Sequence, residues 1–301
     1  MDKGNRKGDL SHRGFSPVIR EDPQSEKALA FKKNAKTKNR MNRISKSLKK
    51  ATISLIIVLG FLSHSLFSQE TGKFQLHNPI TSEYLKKNLQ KQSPNLILTP
   101  AIEKRIKQRI KADPLVNNYY QYLKEEAALI LEKPLLKREL EGFRLLFVSR
   151  EMAERMGILG MVYRIDSDPD ILKRIDAEVK AVCGFKDWNP QHFLDVAEMS
   201  FGVALAIDWA GHDLPEETVV LAKKALIEKG IQESFNEDNP RMFWINSSNN
   251  WNAVCHGGMI AASLAVADVN PELVAKTISR ALEKLPNSLK EYAPDGVYPE
   301  G

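Results

Sequence analysis

From Pro100 onward, apolar residues recur every three or four positions, and no stretch alternates for long enough to argue for a strand. That periodicity confines the chain to an all-α fold. Pro100 opens IEKRIKQRIKAD, and PLVNNYYQYLKEEAALILEK follows it as far as Pro134. Ser149 starts REMAERMGILGMVYRI, and Asp168-Pro169 starts a helix that Gly184 ends, since proline suits a first helical turn and glycine a stop. Two further pairs follow: DVAEMSFGVALAIDWAG with PEETVVLAKKALIEKG, and NNWNAVCHGGMIAASLAVAD with PELVAKTISRALEKL. The pairs begin near Ser149, Asp195 and Asn249, and in each the first helix is almost wholly apolar while the second carries charge on one face. Inner helices buried on most sides and outer helices that meet water on one side require this asymmetry. The expected architecture over residues 100–301 is an incomplete α/α toroid of helical hairpins. A tandem helical-repeat scaffold is the rival, against which the uneven unit spacing and the lack of a shared consensus count.

The first hundred residues read differently. Residues 1–50 hold 15 Lys and Arg against 5 Asp and Glu, so the remaining 29 basic and 33 acidic residues leave the body at −4 although the whole chain is +6. A mildly acidic body has no long-range field to attract nucleic acid, and no nucleic-acid partner is expected. Residues 1–50 are expected to be a disordered basic tail and the charged start of a signal segment. Residues 51–68 (ATISLIIVLGFLSHSLFS) are uncharged, follow the basic RISKSLKK and end in small and polar residues, the layout of a secretory signal. Ser63, His64 and Ser65 interrupt the apolar run, which makes it a poor permanent membrane span. Cleavage is expected near Ser68, with a periplasmic or secreted product that meets the membrane only if the segment stays uncleaved. Residues 69–99 are expected to be a linker.

Cys183 and Cys255 permit a disulfide in an exported protein without requiring one. No CxxC pair or His-x-x-x-His run marks a metal site, so no cofactor is expected; a divalent ion held by scattered carboxylates stays open.

Polar chemistry gathers at two loop-to-helix junctions. In Asp187-Trp188-Asn189-Pro190-Gln191-His192-Phe193-Leu194-Asp195-Val196-Ala197-Glu198, the residues His192, Asp195 and Glu198 are three apart and share a strip once a helix has begun. Trp188, His192 and Glu198 are candidates for contacting a sugar; equally, Asp195 or Asn189 serves as a helix cap and Trp188 as core. In the second junction, Asn246, Asn249, Asn250 and Asn252 fall within seven residues directly before an apolar helix. A cap needs one such residue, so the surplus amides either satisfy one another or are kept to bind something polar. Helical spacing puts Asn249, Asn252 and His256 on one face. A third cluster, Tyr292 to Gly301, is turn-rich and says little alone.

Taken together, LLFVSRE, DWNPQHFLDVAEM, NNWNAVCHGGMIAASLA and PDGVYPEG make residues 143–301 resemble the N-terminal helical domain of the heparinase II/III-like polysaccharide lyases. The resemblance implies bacterial enzymes that act on uronic-acid polymers such as glycosaminoglycan or alginate by β-elimination, with β-sandwich domains after the helical toroid and an active site in the cleft between them. It also implies a catalytic tyrosine after the YPEG motif and a histidine from the β region. The chain reaches Gly301 before either, so it is expected to be a fragment that is inactive alone.

β-Elimination removes the weakly acidic C5 proton beside a uronate carboxylate and expels the 4-linked sugar. The carboxylate must be neutralised by donors, the proton taken by a Tyr or His base, and the leaving oxygen protonated. Relatives carry an Asn-His pair where this chain has Asn250-Trp251, so the resemblance makes Asn250 the neutraliser, with Asn249, Asn252 and His256 adjacent. His256 is either catalytic with Asn250 or a packed histidine bonded to a backbone carbonyl. Trp251 and Tyr298, with Trp188, His192 and Glu198, are expected to line the sugar cleft. Two other functions stay open: a toroid glycoside hydrolase drawing on Asp195 and Asp295, and a non-catalytic helical carbohydrate-binding fragment.

Overall fold

Helices carry the part of the chain described by the computed structural model, residues 78–89 and 93–298 of 301. The basic tail 1–50, the signal segment 51–68 with its cleavage near Ser68, and residues 299–301 of the last motif lie outside the described residues. The order is α1 (Ser82–Asn88), α2 (Pro100–Ala112), α3 (Pro114–Glu132), α4 (Leu146–Asp166), α5 (Pro169–Cys183), α6 (Phe193–Ala210), α7 (Glu216–Ala225), α8 (Asn250–Ala265), α9 (Pro271–Lys284) and the one-turn α10 (Pro286–Leu289). Among the described residues there is no strand, only an isolated bridge between Glu141 and Arg144, and no helix is long and apolar enough to cross a membrane.

Local chemistry sets most of the starts. Pro100, Pro114, Pro169 and Pro271 each follow a residue whose side chain accepts a free N–H of the first turn: Thr99, Asp113, Asp168 and Asn270. Helix α4 differs. It begins at Leu146, three residues before the expected Ser149, and has no local side-chain cap. The Asp195 carboxylate, fifty residues away in α6, accepts the Leu145 N–H at 2.6 Å and satisfies the end of the helix instead.

The helices form two layers. In the inner layer α6 lies between α4 and α8; in the outer one α5 packs on α7, and α9 covers α8. Burial follows this order, for every residue of α6 except Glu198 and Phe201 is buried. Glycines let the inner helices approach: a Cβ on Gly202 would come within 2.9 Å of the Ala153 nitrogen in α4, and one on Gly258 would run into the Ala197 carbonyl of α6.

Three expectations need correction. The sequence PEETVVLAKKALIEKG is not one helix: α7 stops at Ala225, and a π-helical turn, Leu226–Ile231, and a 3₁₀ turn, Gln232–Phe235, follow. In that turn Gly230 sits against the Ser200 hydroxyl, while the Lys229 ammonium donates to the Cys183 carbonyl at 2.7 Å, so contacts with α6 and α5 override the α-helical hydrogen-bond register. The described part of the 69–99 segment is no linker either. Leu85, Leu96 and Leu98 enter the core, Asp208 accepts the Asn95 and Leu96 N–H groups at 2.8 Å, and the Trp209 indole donates to the Leu96 carbonyl. Lastly, α8 ends at Ala265 rather than running to Asp268.

The connection from α3 to α4 is held by a buried ion cluster. Glu178 of α5 is fully buried and takes the Arg155 guanidinium of α4 and that of Arg174, 2.8 Å away, while its other oxygen accepts the Leu136 N–H at 3.2 Å. Both arginines also donate to the Pro134 carbonyl. Cys183 and Cys255 are free, buried thiols, and burial pushes the Cys183 pKa up to about 12.

Candidate functional site

Helices α4, α6 and α8 all start at one end of the inner layer, as the Leu145–Asp195 hydrogen bond and the contact between the His192 and Trp251 rings require. Their N-termini therefore gather partial positive charge there. The two junctions singled out in the sequence meet at this end.

His192 stands just before α6, and its Nδ1 lies 2.6 Å from Oδ1 of Asp195 one turn later. The second oxygen of Asp195 accepts the Leu145 N–H and, at 2.7 Å, the Asn189 carboxamide. Asn189 donates through the same nitrogen to the Phe143 carbonyl and adopts φ +60°, a left-handed conformation that asparagine tolerates better than most residues. An ionised carboxylate only accepts, so the proton of a neutral His192 ring sits on Nδ1, and Nε2 is left with its lone pair and no described protein partner. A buried carboxylate fixes the ring, as it does in an oriented general acid/base, and the His192 side chain is itself buried, 5% exposed, against the Phe143 and Trp251 rings.

Four rings run through this nitrogen's surroundings. Phe143 meets His192 edge-on at 5.6 Å between ring centres, His192 meets Trp251 at 4.8 Å, and Trp251 meets Phe243 at 5.0 Å. The end members, Phe143 at 63% and Phe243 at 51%, are exposed, as is Phe147 at 57%. Exposed aromatic groups beside a few converging polar groups mark a ligand surface, and flat apolar faces suit the C–H face of a sugar ring.

Glu198, one turn below Asp195, is half-buried and holds the Arg150 Nε of α4 equally from both oxygens, 3.1 Å each. Burial raises the Glu198 pKa, and the Arg150 contact pulls it the other way without cancelling the shift.

The second junction divides its amides. Asn249 is exposed and caps α8 by accepting the Trp251 N–H. Asn252 is fully buried; its amide donates to the Trp244 and Ile245 carbonyls, and its oxygen accepts from the Ser288 hydroxyl. It ties down its own loop and is not a sugar contact. Asn250, at the first position of α8, is half-buried, and its carboxamide is engaged by no described residue.

Two other candidates are corrected. His256 is fully buried, edge-on to Trp244 at 4.9 Å, with Nε2 3.3 Å from the Ile245 carbonyl; burial lowers its pKa to about 4. It is a core histidine that no substrate atom can reach. Trp188 is likewise fully buried, its indole donating to the Val182 carbonyl, and it lines no cleft. Tyr298 is half-buried with Tyr292 as its ring partner, 5.0 Å away. Asp195 has both oxygens occupied, which takes it away from a hydrolase role.

Phe143, Phe243 and Arg150 escaped the sequence reasoning. Each is an ordinary loop or helix residue by spacing; Phe143 meets His192 directly, Phe243 only through Trp251, and Arg150 meets Glu198. Among the described residues no group of three or more His, Cys, Asp and Glu side chains could hold a metal ion. No protein-family model matches the chain, and no curated protein matches it.

Proposed function

We propose that the chain is part of a polysaccharide lyase that cleaves uronic-acid polymers by β-elimination, with His192 as the proton-accepting group and Asn250 as the carboxylate neutraliser. One arrangement supports this function above all: an imidazole oriented by a buried carboxylate and packed on the Trp251 ring, whose sequence neighbour Asn250 has an amide engaged by no described residue. The Asn250 N–H₂ donates to the uronate carboxylate as enediolate charge develops. His192 Nε2 takes the C5 proton, the C4–O bond breaks as the C4=C5 bond forms, and the expelled oxygen collects a proton. The tyrosine that the heparinase II/III resemblance implies after residue 301 is the donor in this scheme. The same proposal makes the two helical layers part of an α/α toroid and the protein periplasmic or secreted.

The test uses the full gene product. Incubation with alginate or a glycosaminoglycan is expected to raise ultraviolet absorbance as unsaturated uronic ends form; new reducing ends without that chromophore contradict elimination. Asn250→Ala is expected to lower kcat about 100- to 1,000-fold, the usual cost of one preorganised donor. Asn250 is half-exposed and bonded to no described residue, so the thermal midpoint should stay near that of the wild type.

A further inference from the structure

We infer that Arg150 is the specificity group of this site: its guanidinium, held by Glu198, reads the acid group of a sugar beside the one that reacts. The inference rests on the lyase function proposed above and adds which charge is recognised and by which side chain.

The Arg150 side chain is 59% exposed, yet it is fixed, because Nε alone faces both Glu198 oxygens at 3.1 Å. The two terminal nitrogens, with four N–H groups, donate to no described residue. Arg155, five residues further along the same helix, shows the alternative: its Nε, Nη1 and Nη2 are all consumed by Glu151, Pro134 and Glu178, and its side chain is 4% exposed. Arg150 therefore presents its terminal edge, the part of a guanidinium that matches a carboxylate or sulfate with two parallel hydrogen bonds.

Its position fits a chain-like ligand. Phe147 precedes Arg150 by three residues and is exposed on the same face of α4. On α6, Glu198 lies six residues beyond His192, about 9 Å along the helix axis at 1.5 Å per residue. The guanidinium is thus displaced from the reacting histidine rather than placed upon it. On α8, Val254 is 37% exposed, and a Cβ on Gly257 would meet no atom within 4 Å. Because Arg150 also pairs with the half-buried Glu198, its variants are read by binding and thermal midpoint together.

Binding of the full gene product would be measured against alginate, hyaluronan, chondroitin sulfate and heparin, each beside its carboxyl-reduced form, with the reducing agent removed. The wild type is expected to bind at least one native polymer about 10- to 100-fold more tightly than its reduced form, the range for a hydrogen bond to a charged group. Arg150→Gln is expected to lower that preference several-fold, leaving the share that Asn250 supplies at the reacting uronate, while affinity for the reduced polymer stays unchanged. Arg150→Lys, which keeps the charge and loses the fork, should recover only part of it. A preference of wild-type size in Arg150→Gln overturns the inference, as does a wild type that binds native and reduced forms alike. If elimination is observed and Arg150→Gln is indifferent, only the role of Arg150 falls; if no polymer binds, the lyase function falls with it.

Discussion

Replacing His192 with glutamine is expected to slow elimination of a uronate polymer about 100- to 10,000-fold, the span usually lost with a positioned acid/base. Glutamine is similar in size and can still hydrogen-bond to Asp195, so the loss should appear in kcat with little change in the thermal midpoint. Asp195→Asn should slow the reaction as well. Its amide can donate to Nδ1, which favours the ring tautomer whose Nε2 carries the proton and cannot accept one. Steady-state rates from the ultraviolet signal check both variants. Wild-type turnover in His192→Gln would remove the histidine from the chemistry, whatever its geometry.

The second large effect concerns stability. Glu178→Ala is expected to destabilise the fold by about 3–5 kcal/mol, because Arg174 would be left a largely buried cation without a counter-ion, Arg155 would keep only Glu151, and the Leu136 N–H would lose its acceptor. For a folded unit of this size that corresponds to a thermal midpoint about 6–20 °C lower. The Lys173–Asp170 pair, with side chains 77% and 70% exposed, supplies the comparison; Asp170→Ala should leave the thermal midpoint nearly unchanged. The consequence of Glu178→Ala extends to the site, since the cluster anchors the connection that carries Phe143 to His192 and offers the Leu145 N–H to Asp195. A midpoint unchanged in Glu178→Ala would show that the arginines find other partners or water.

How far the sequence reveals the molecule depends on how local each cause is. Asp168, Pro169 and Gly184 mark the ends of α5 to the residue, because a cap, a fixed φ and a helix stop act within a few positions. The apolar α6 and the one-sided α9 likewise betray their inner and outer places through composition alone. The start of α4 is not legible, since its cap is a carboxylate fifty residues downstream. The π-helical turn after α7 is hidden for the same reason: Gly230 and Lys229 respond to Ser200 and Cys183 in other helices.

The site divides along the same line. The His192–Asp195 contact agrees with their spacing, but only tertiary structure supplies the Asn189, Leu145 and Phe143 partners that fix the carboxylate and the ring. Residue type misled at Trp188, Asn252 and His256. Each is polar or aromatic at a promising junction, and each proves to be spent on the interior: Trp188 on the Val182 carbonyl, Asn252 on its own loop, His256 beneath Trp244. Crowded asparagines before an apolar helix thus mix a cap, a loop tie and one uncommitted amide, and the difference between them is burial.

The central claim, that His192 Nε2 faces the substrate, is tested most directly by nuclear magnetic resonance on protein carrying ¹⁵N-labelled imidazoles. With six histidines in the chain the ring signals are separable by single substitutions. Adding a uronate oligosaccharide should shift the His192 Nε2 signal strongly, while Nδ1 keeps the signature of a nitrogen protonated against Asp195 and the buried His256 ring does not move. A His192 ring indifferent to every uronate oligosaccharide, or one protonated on Nε2 rather than Nδ1, would contradict the account.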